Sequence, residues 1–158
     1  MEIDFFKIYL DRLRNGELEV IKGSVAPEFL EIREKDLCFQ KPVEIRGESY
    51  LTGDDLILNL NIMAFAQIPC TICSQEVLHK IVLEGYYHTE EISEKRSAIF
   101  DFKEIVRDAI LLEVPSVLEC CEGKCPERRF YSKYLKALPS SKESSLLKES
   151  SYFPFKDL

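Results

Sequence analysis

Residues 43–66 of this chain read VEIRGESYLTGDDLILNLNIMAFA, and they carry the clearest strand pattern of the sequence. Apolar and polar side chains alternate over residues 43–51, which is the period of a strand with one buried face. Residues 56–66 form a second long strand candidate, and Thr52-Gly53-Asp54-Asp55 between the two is typical of a tight turn. The sequence therefore predicts a β-hairpin over residues 43–66.

The flanking segments extend this hairpin into a mixed fold. Residues 18–25 and 77–89 have strand patterns, and residues 101–114 have the apolar face of a helix that ends at a proline. Residues 5–13 fit either a short helix or a strand that leads into one helical turn. We expect an α+β fold, built as an antiparallel β meander or a partly closed barrel, with flanking helices and a cysteine-bearing knuckle.

The length and composition indicate one domain. The chain has 158 residues, of which 46% are hydrophobic and 31% charged, as in ordinary globular proteins. Residues 137–158 are rich in serine, lysine and glutamate, a composition typical of a flexible segment. We therefore expect a single α+β domain over residues 1–136, followed by a flexible tail over residues 137–158.

Charge is distributed unevenly along the chain. Residues 1–119 carry 13 basic and 23 acidic side chains, whereas residues 120–158 carry 8 basic and 5 acidic ones. The net charge of −7 argues against a nucleic-acid footprint over the whole surface. The basic C-terminal third is then the place where an anionic partner would dock.

The hydropathy pattern predicts neither export nor membrane insertion. The longest nearly uncharged stretch, residues 56–73, is interrupted by two asparagines, a glutamine and a proline, which favours a strand over a membrane span. The first residues lack the basic start and the small-residue cleavage site of a secretory signal. We expect a cytoplasmic protein with no membrane partner.

Six cysteines raise the question of metal or redox chemistry. Cys70 and Cys73 form a C-x-x-C pair, whose spacing suits half of a tetrahedral zinc site, a redox disulfide, or two thiols that only pack. The residues after Cys73 alternate as a strand, so the helix dipole of a thioredoxin-like site is missing. Cys38 lies between Leu37 and Phe39, a context typical of core packing.

A second cysteine cluster could complete a metal site. Gly123 allows a sharp turn that would bring Cys121 and Cys125 together. We predict that one structural zinc is held by four thiolates, those of Cys70, Cys73, Cys121 and Cys125. Because Cys120 adjoins Cys121, the choice between these two as the fourth ligand stays open.

A basic and aromatic stretch follows the second cluster. Such side chains suit phosphate contact and base stacking. The alternative is an amphipathic helix whose Phe130, Tyr134 and Leu138 pack on the sheet while its charges stay solvated. The predicted residues for contact with RNA or with another partner are Lys124, Arg128, Arg129, Tyr131, Lys133 and Lys136.

The chain carries no familiar catalytic motif. The sequence contains no P-loop, G-x-G-x-x-G, H-E-x-x-H or G-x-S-x-G pattern. We therefore expect a protein that is not an enzyme, with no catalytic residues and no small-molecule substrate.

The order of several short motifs resembles the bacterial YceD family, the large ribosomal RNA accumulation proteins. The motifs are F-K-I-x-L-x-x-L-x-x-G at 6–16, the C-x-x-C knuckle, L-L-E-V-P at 111–115, C-x-G-x-C-P at 121–126, and the ending F-P-F-K-D-L at 153–158. Cysteine-rich members of that family often carry a further C-x-x-C after the Cys-Pro, where this chain has Glu127-Arg128-Arg129.

The resemblance implies a role in making or stabilising large-subunit ribosomal RNA. On this basis we expect a non-enzymatic ribosome-biogenesis factor, whose partner is either large-subunit ribosomal RNA or a large-subunit ribosomal protein. In the second case the protein would be an adaptor for a basic ribosomal protein, to which its acidic body is suited, without touching RNA. A thiol redox protein that uses Cys70 and Cys73 is a third, less favoured function.

Overall fold

The computed structural model describes residues 5–92 and 98–135 of the chain. This part of the chain has an α+β fold, as predicted. Its strands are β1 (Lys7–Tyr9), β2 (Glu19–Val25), β3 (Val43–Thr52), β4 (Asp55–Pro69), β5 (Glu76–Glu91) and β6 (Ile99–Asp101). Its helical segments are α1 (Leu10–Arg14), a 3₁₀ turn (Pro27–Leu30), α2 (Lys103–Leu112), the single turn α3 (Cys120–Gly123) and α4 (Arg128–Leu135). The predicted tail and Lys136 lie outside the described residues.

The main sheet is an antiparallel meander in the order β2-β3-β4-β5. The predicted hairpin is confirmed: β3 pairs with β4 from Glu44 opposite Met63 to Thr52 opposite Asp55. Gly53 in the two-residue turn has φ +63°, a conformation that glycine adopts without steric cost. Within the described residues β2 and β5 do not pair with each other, so the sheet is an open meander and not a barrel.

The opening segment, residues 5–14, is a strand that leads into one helical turn, which is one of the two forms that its sequence allows. It is a short strand, β1, that runs directly into the single-turn helix α1. β1 pairs with β6, which immediately precedes α2, and this pairing joins the opening segment to the start of α2. The contact depends on residues about ninety positions apart, and it anchors α2 over the core.

The helix α2 is shorter than the predicted 101–114. Asp101 belongs to β6, and its carboxylate accepts a hydrogen bond from the Lys103 N–H at 2.9 Å. The buried face of the helix consists of Val106, Ala109 and Ile110. Arg107 Nε donates to the Leu30 carbonyl at 2.8 Å, which ties the helix to the 3₁₀ turn.

Gly47 is enclosed by the neighbouring strand, and we expect Gly47→Ala to destabilise the fold. A Cβ at this position would meet the Asn59 carbonyl oxygen and lie 2.9 Å from Leu60 Cα. Because both obstacles are backbone atoms of β4, the sheet itself must shift, at a cost of about 1–3 kcal/mol. Urea denaturation measures this cost, with Ser24→Ala on the exposed face of β2 as the control. Equal unfolding midpoints for the two variants would contradict the close packing of β3 on β4.

Candidate metal centre

The C-x-x-C pair lies in the tight connection between β4 and β5. The Cys70 N–H donates to the Gln75 carbonyl at 2.7 Å, and the Ser74 N–H donates to the Cys70 carbonyl at 2.9 Å. Ser74 has φ +62°, so the backbone turns back on itself directly after Cys73. This turn, residues 70–75, is called the knuckle below. It presents the two thiols side by side at the end of the longest hairpin in the described part of the chain.

The segment after α2 is held against the knuckle by three hydrogen bonds between one pair of residues. The Thr71 N–H and the Thr71 hydroxyl both donate hydrogen bonds to the Leu118 carbonyl, at 2.8 and 3.0 Å. The Leu118 N–H donates to Thr71 Oγ1 at 3.3 Å. Leu118 is therefore fixed opposite the knuckle, and the next residues in the chain arrive beside Cys70.

Glu119 folds the second cysteine cluster onto the first. Its carboxylate accepts from the Cys125 N–H at 2.9 Å and from Arg128 Nε at 3.1 Å. These contacts close the chain around the single turn α3, so that Cys125 returns towards Cys120. No sequence pattern predicts the roles of Thr71, Leu118 and Glu119. Thr71 and Leu118 are 47 positions apart, and the contacts of Glu119 depend on how the chain closes around Cys120.

Four thiols converge where these segments meet. The Sγ atoms of Cys70, Cys73, Cys120 and Cys125 all lie within 4.8 Å of one another. The Cys73 and Cys120 Sγ atoms are 3.6 Å apart. A tetrahedral ion with metal–sulfur bonds of about 2.3 Å places its sulfurs about 3.8 Å apart. The four cysteines could therefore hold one metal ion with little rearrangement.

The fourth thiol of this group is Cys120 and not its neighbour Cys121. The structure brings together the predicted Cys70, Cys73 and Cys125, but Cys121 is exposed, whereas Cys120 is buried against the knuckle. The cause lies in the backbone: Cys121 and Glu122 both adopt the left-handed conformation, each with φ +55°. The chain thus reverses immediately after Cys120, and Cys121 remains on the solvent side.

The knuckle is preorganised for a thiolate at Cys70. The pKa of Cys70 is lowered from 9.0 to about 6, chiefly by the backbone N–H of Cys73 and also by those of Cys120 and Ile72. The Cys120 and Ile72 amides lie 3.3 and 3.4 Å from the Cys70 sulfur. Backbone amides directed at a sulfur stabilise its negative charge, and a thiolate is the form that binds metal.

The pKa values of the two buried cysteines in the second cluster are shifted upwards, which favours their neutral thiol forms. Burial raises the pKa of Cys120 and that of Cys125, and neighbouring thiols add to the effect at Cys120. Several thiolates packed together in a buried site repel each other unless a cation compensates them. A divalent ion at the centre would supply that charge, and the donor set of four sulfurs suits a soft or borderline metal.

The geometry also bears on the other interpretations of the cysteines. Cys70 and Cys73 stand between two strands, so neither thiol lies at the N-terminus of a helix, as the thiol of a thioredoxin-like redox site does. Cys38 is half-buried outside the cluster, and its Sγ donates to Gln67 Oε1 at 3.2 Å. It pairs with β4 through an isolated bridge at Gln67.

The predicted contact residues just before α4 and at its start differ in their surroundings. Lys124, Arg128, Arg129 and Tyr131 are all exposed. Arg128 is engaged by Glu119, whereas the Arg129 guanidinium lies over the Phe130 ring at 4.8 Å. Phe130 is 62% exposed and so does not pack on the sheet, which removes one of the three residues of the amphipathic alternative. The side chains of Lys133 and Tyr134, as well as Leu138, lie outside what the structure describes.

Among the described residues, no helix is long and apolar enough to cross a membrane. Comparison with protein-family models, with curated proteins and with solved structures finds no match to this chain.

Proposed function

We propose that this protein is a non-enzymatic factor in large-subunit ribosome biogenesis that contacts ribosomal RNA through the start of α4. The observation that carries the proposal is the exposure of two aromatic rings, Phe130 at 62% and Tyr131 at 46%, in a basic segment. Exposed rings between cations suit base stacking combined with phosphate contact. The resemblance to the YceD family supplies the class of RNA.

Two of the exposed cations suit this role. Arg129 keeps its guanidinium on the Phe130 ring, a flat surface of the kind on which bases stack. Lys124 is exposed just before Cys125. Arg128 instead stabilises the cysteine cluster, because it contacts Glu119, whose carboxylate also binds the Cys125 N–H.

We further propose that the metal is zinc and that its role is structural. The four cysteines fill a tetrahedral shell, which leaves no open position for a water nucleophile or a substrate. In a reducing compartment, a metal crosslink can replace the disulfides that small domains use elsewhere. The zinc then fixes the start of α4 to the sheet, so that the basic surface has a defined orientation.

The proposal is tested by the salt dependence of binding to a large-subunit ribosomal RNA transcript. We expect binding by the full chain to weaken steeply with salt, because phosphate contacts release counterions. Arg129→Ala should reduce the salt slope by about 1, and Tyr131→Ala should cost about 1–3 kcal/mol through lost stacking. Lys22→Ala, an exposed cation on β2, is the matched control and should leave both values unchanged.

The adaptor function makes a different prediction in the same assay. The acidic body of the chain, with 23 acidic and 13 basic residues over positions 1–119, complements a basic ribosomal protein. If the adaptor is correct, the transcript is retained only when such a protein is added. Binding by the chain alone that neither Arg129→Ala nor Tyr131→Ala alters would contradict direct contact through α4.

A further inference from the structure

The strand β5 is the outermost strand of the main sheet and is 16 residues long. It pairs with β4 on one side, and none of the described residues pairs with its other side. An unpaired strand edge presents a row of N–H and C=O groups that can template another strand. An edge of 16 residues that is unpaired within the described part of the chain is therefore expected either to bind a partner strand or to carry features that prevent such pairing.

Three large apolar side chains lie among the charged ones on the solvent face of β5. Leu78, Val82 and Tyr87 are 50%, 48% and 58% exposed, and Val82 lies directly beside Met63 of β4. Of the protective devices known from edge strands, β5 has an inserted bulge opposite Asn61 and a single lysine, Lys80. The bulge consists of Glu84 and Gly85, so residues 76–83 pair regularly with β4 and Glu84 is the first residue beyond them.

The charges at the end of this regular portion and at the start of the bulge are self-complementary. Lys80 and Glu84 are both exposed and lie on the same face, two residues to either side of Val82. In an antiparallel pair of identical strands centred on Val82, the Lys80 of each strand faces the Glu84 of the other. Opposite charges directly across an antiparallel pair are stabilising, and like charges are destabilising.

We infer that the protein forms a homodimer in which β5 pairs with β5 of a second copy about a two-fold axis through Val82. On the solvent face, the two Val82 side chains meet and two Lys80–Glu84 ion pairs flank them. On the other face, Ile81 of each copy lies opposite Leu83 of the other, which extends the buried apolar layer across the junction. The two four-stranded sheets then form one continuous sheet of eight strands.

The neighbouring registers are disfavoured by charge. A shift of the axis by two residues towards the N-terminus places the two Lys80 side chains against each other. A shift by two towards the C-terminus does the same with the two Glu84 side chains. A shift of the axis by one residue in either direction still places exposed side chains opposite exposed ones, but it removes the Lys80–Glu84 ion pairs. Among these registers, only the one centred on Val82 forms both ion pairs.

The test is the mass of the full chain in solution, measured by light scattering and by sedimentation over a concentration series. We expect twice the chain mass of 18.3 kDa for the wild-type protein. Lys80→Glu places two carboxylates opposite each other twice per dimer, and should weaken the dimer by about tenfold or more. The double variant Lys80→Glu/Glu84→Lys restores opposite charges in the same register, and should recover the dimer.

Lys22→Glu is the matched control, since Lys22 is an exposed lysine on β2, the opposite edge of the sheet. It should leave the dimer mass unchanged. A wild-type protein that is monomeric at all concentrations would overturn the inference. So would a dimer that Lys80→Glu weakens but Glu84→Lys does not restore, because the interface would then use another register or another surface. A dimer that all three variants leave intact would place the contact elsewhere on the chain.

Discussion

We expect the Cys120→Ser variant to lose its zinc and the Cys121→Ser variant to keep about one zinc per chain. The two residues are adjacent, yet only the Cys120 sulfur lies with those of Cys70, Cys73 and Cys125. A serine hydroxyl does not replace a thiolate on zinc, so the shell falls to three ligands in the first variant. The binding free energy of a structural zinc site is on the order of 10 kcal/mol, so its loss should also lower the unfolding midpoint markedly.

Elemental analysis of protein purified without chelator, together with thermal unfolding, measures both effects. Cys121→Ser is the matched control, because it removes one thiol of the same sequence cluster that lies at the surface. If the wild-type chain binds no metal and its four clustered thiols are readily alkylated, the zinc proposal is wrong. If instead Cys121→Ser loses the metal and Cys120→Ser retains it, the arrangement of the second cluster is wrong.

The second large effect is expected in the core, for Phe102→Ala. Phe102 is completely buried between β6 and α2, and its ring lies 5.4 Å from that of Phe6, centre to centre. The truncation removes a whole aromatic ring and leaves a cavity where the opening segment packs against the start of α2, at a cost of about 3–5 kcal/mol. Urea denaturation measures this loss as a fall in the midpoint at an unchanged slope.

The matched control for this variant is Leu112→Ala at the end of α2, since Leu112 is largely exposed. It should cost well under 1 kcal/mol. If Phe102→Ala costs no more than Leu112→Ala, then the β1–β6 pair and α2 are not part of the cooperative core. A lower slope in Phe102→Ala alone would show that this part of the domain unfolds separately.

The main sheet was predictable because its signals are local. Alternation over residues 43–51 and the turn at Gly53 determine the hairpin without reference to the rest of the chain. The pairing of β1 with β6 was not predicted, since it joins three-residue strands whose partners are far apart in sequence. Because β1 depends on this distant partner, the sequence of residues 5–13 alone left both a helix and a strand with one helical turn as possible structures.

The candidate site was predictable to within one residue. The knuckle follows from two strands that flank a C-x-x-C pair, and Gly123 correctly indicated a turn in the second cluster. The selection of Cys120 over Cys121 depends on left-handed backbone at Cys121 and Glu122, which neither residue favours intrinsically. The contact between Thr71 and Leu118 positions the chain just before Cys120, and no pattern in the sequence predicts this contact.

The basic stretch was also predictable only in part from the sequence. Composition indicated its charge and its aromatic content, but the engagement of Arg128 by Glu119 depends on the closure of the cluster. The exposure of Phe130 likewise depends on where α4 leaves that cluster, rather than on the helical periodicity of its own residues. Packing between segments determines the contact of Arg128 and the exposure of Phe130, and the periodicity of one segment does not predict how it packs on another.

The distance between the two halves of the cysteine cluster has a consequence for the order in which the protein is made. Cys73 and Cys120 are 47 positions apart, and synthesis delivers the knuckle well before the second pair of thiols. Closing a free loop of that length costs about 3 kcal/mol in chain entropy, a cost that falls once β5 and α2 have brought its ends together. Tight binding of the proposed zinc would therefore have to wait until Cys125 is made, and a nascent or truncated chain that stops before Cys120 would carry only two of the four thiols. In a cell with a limited zinc supply, the ion would be retained by finished copies and released by incomplete ones.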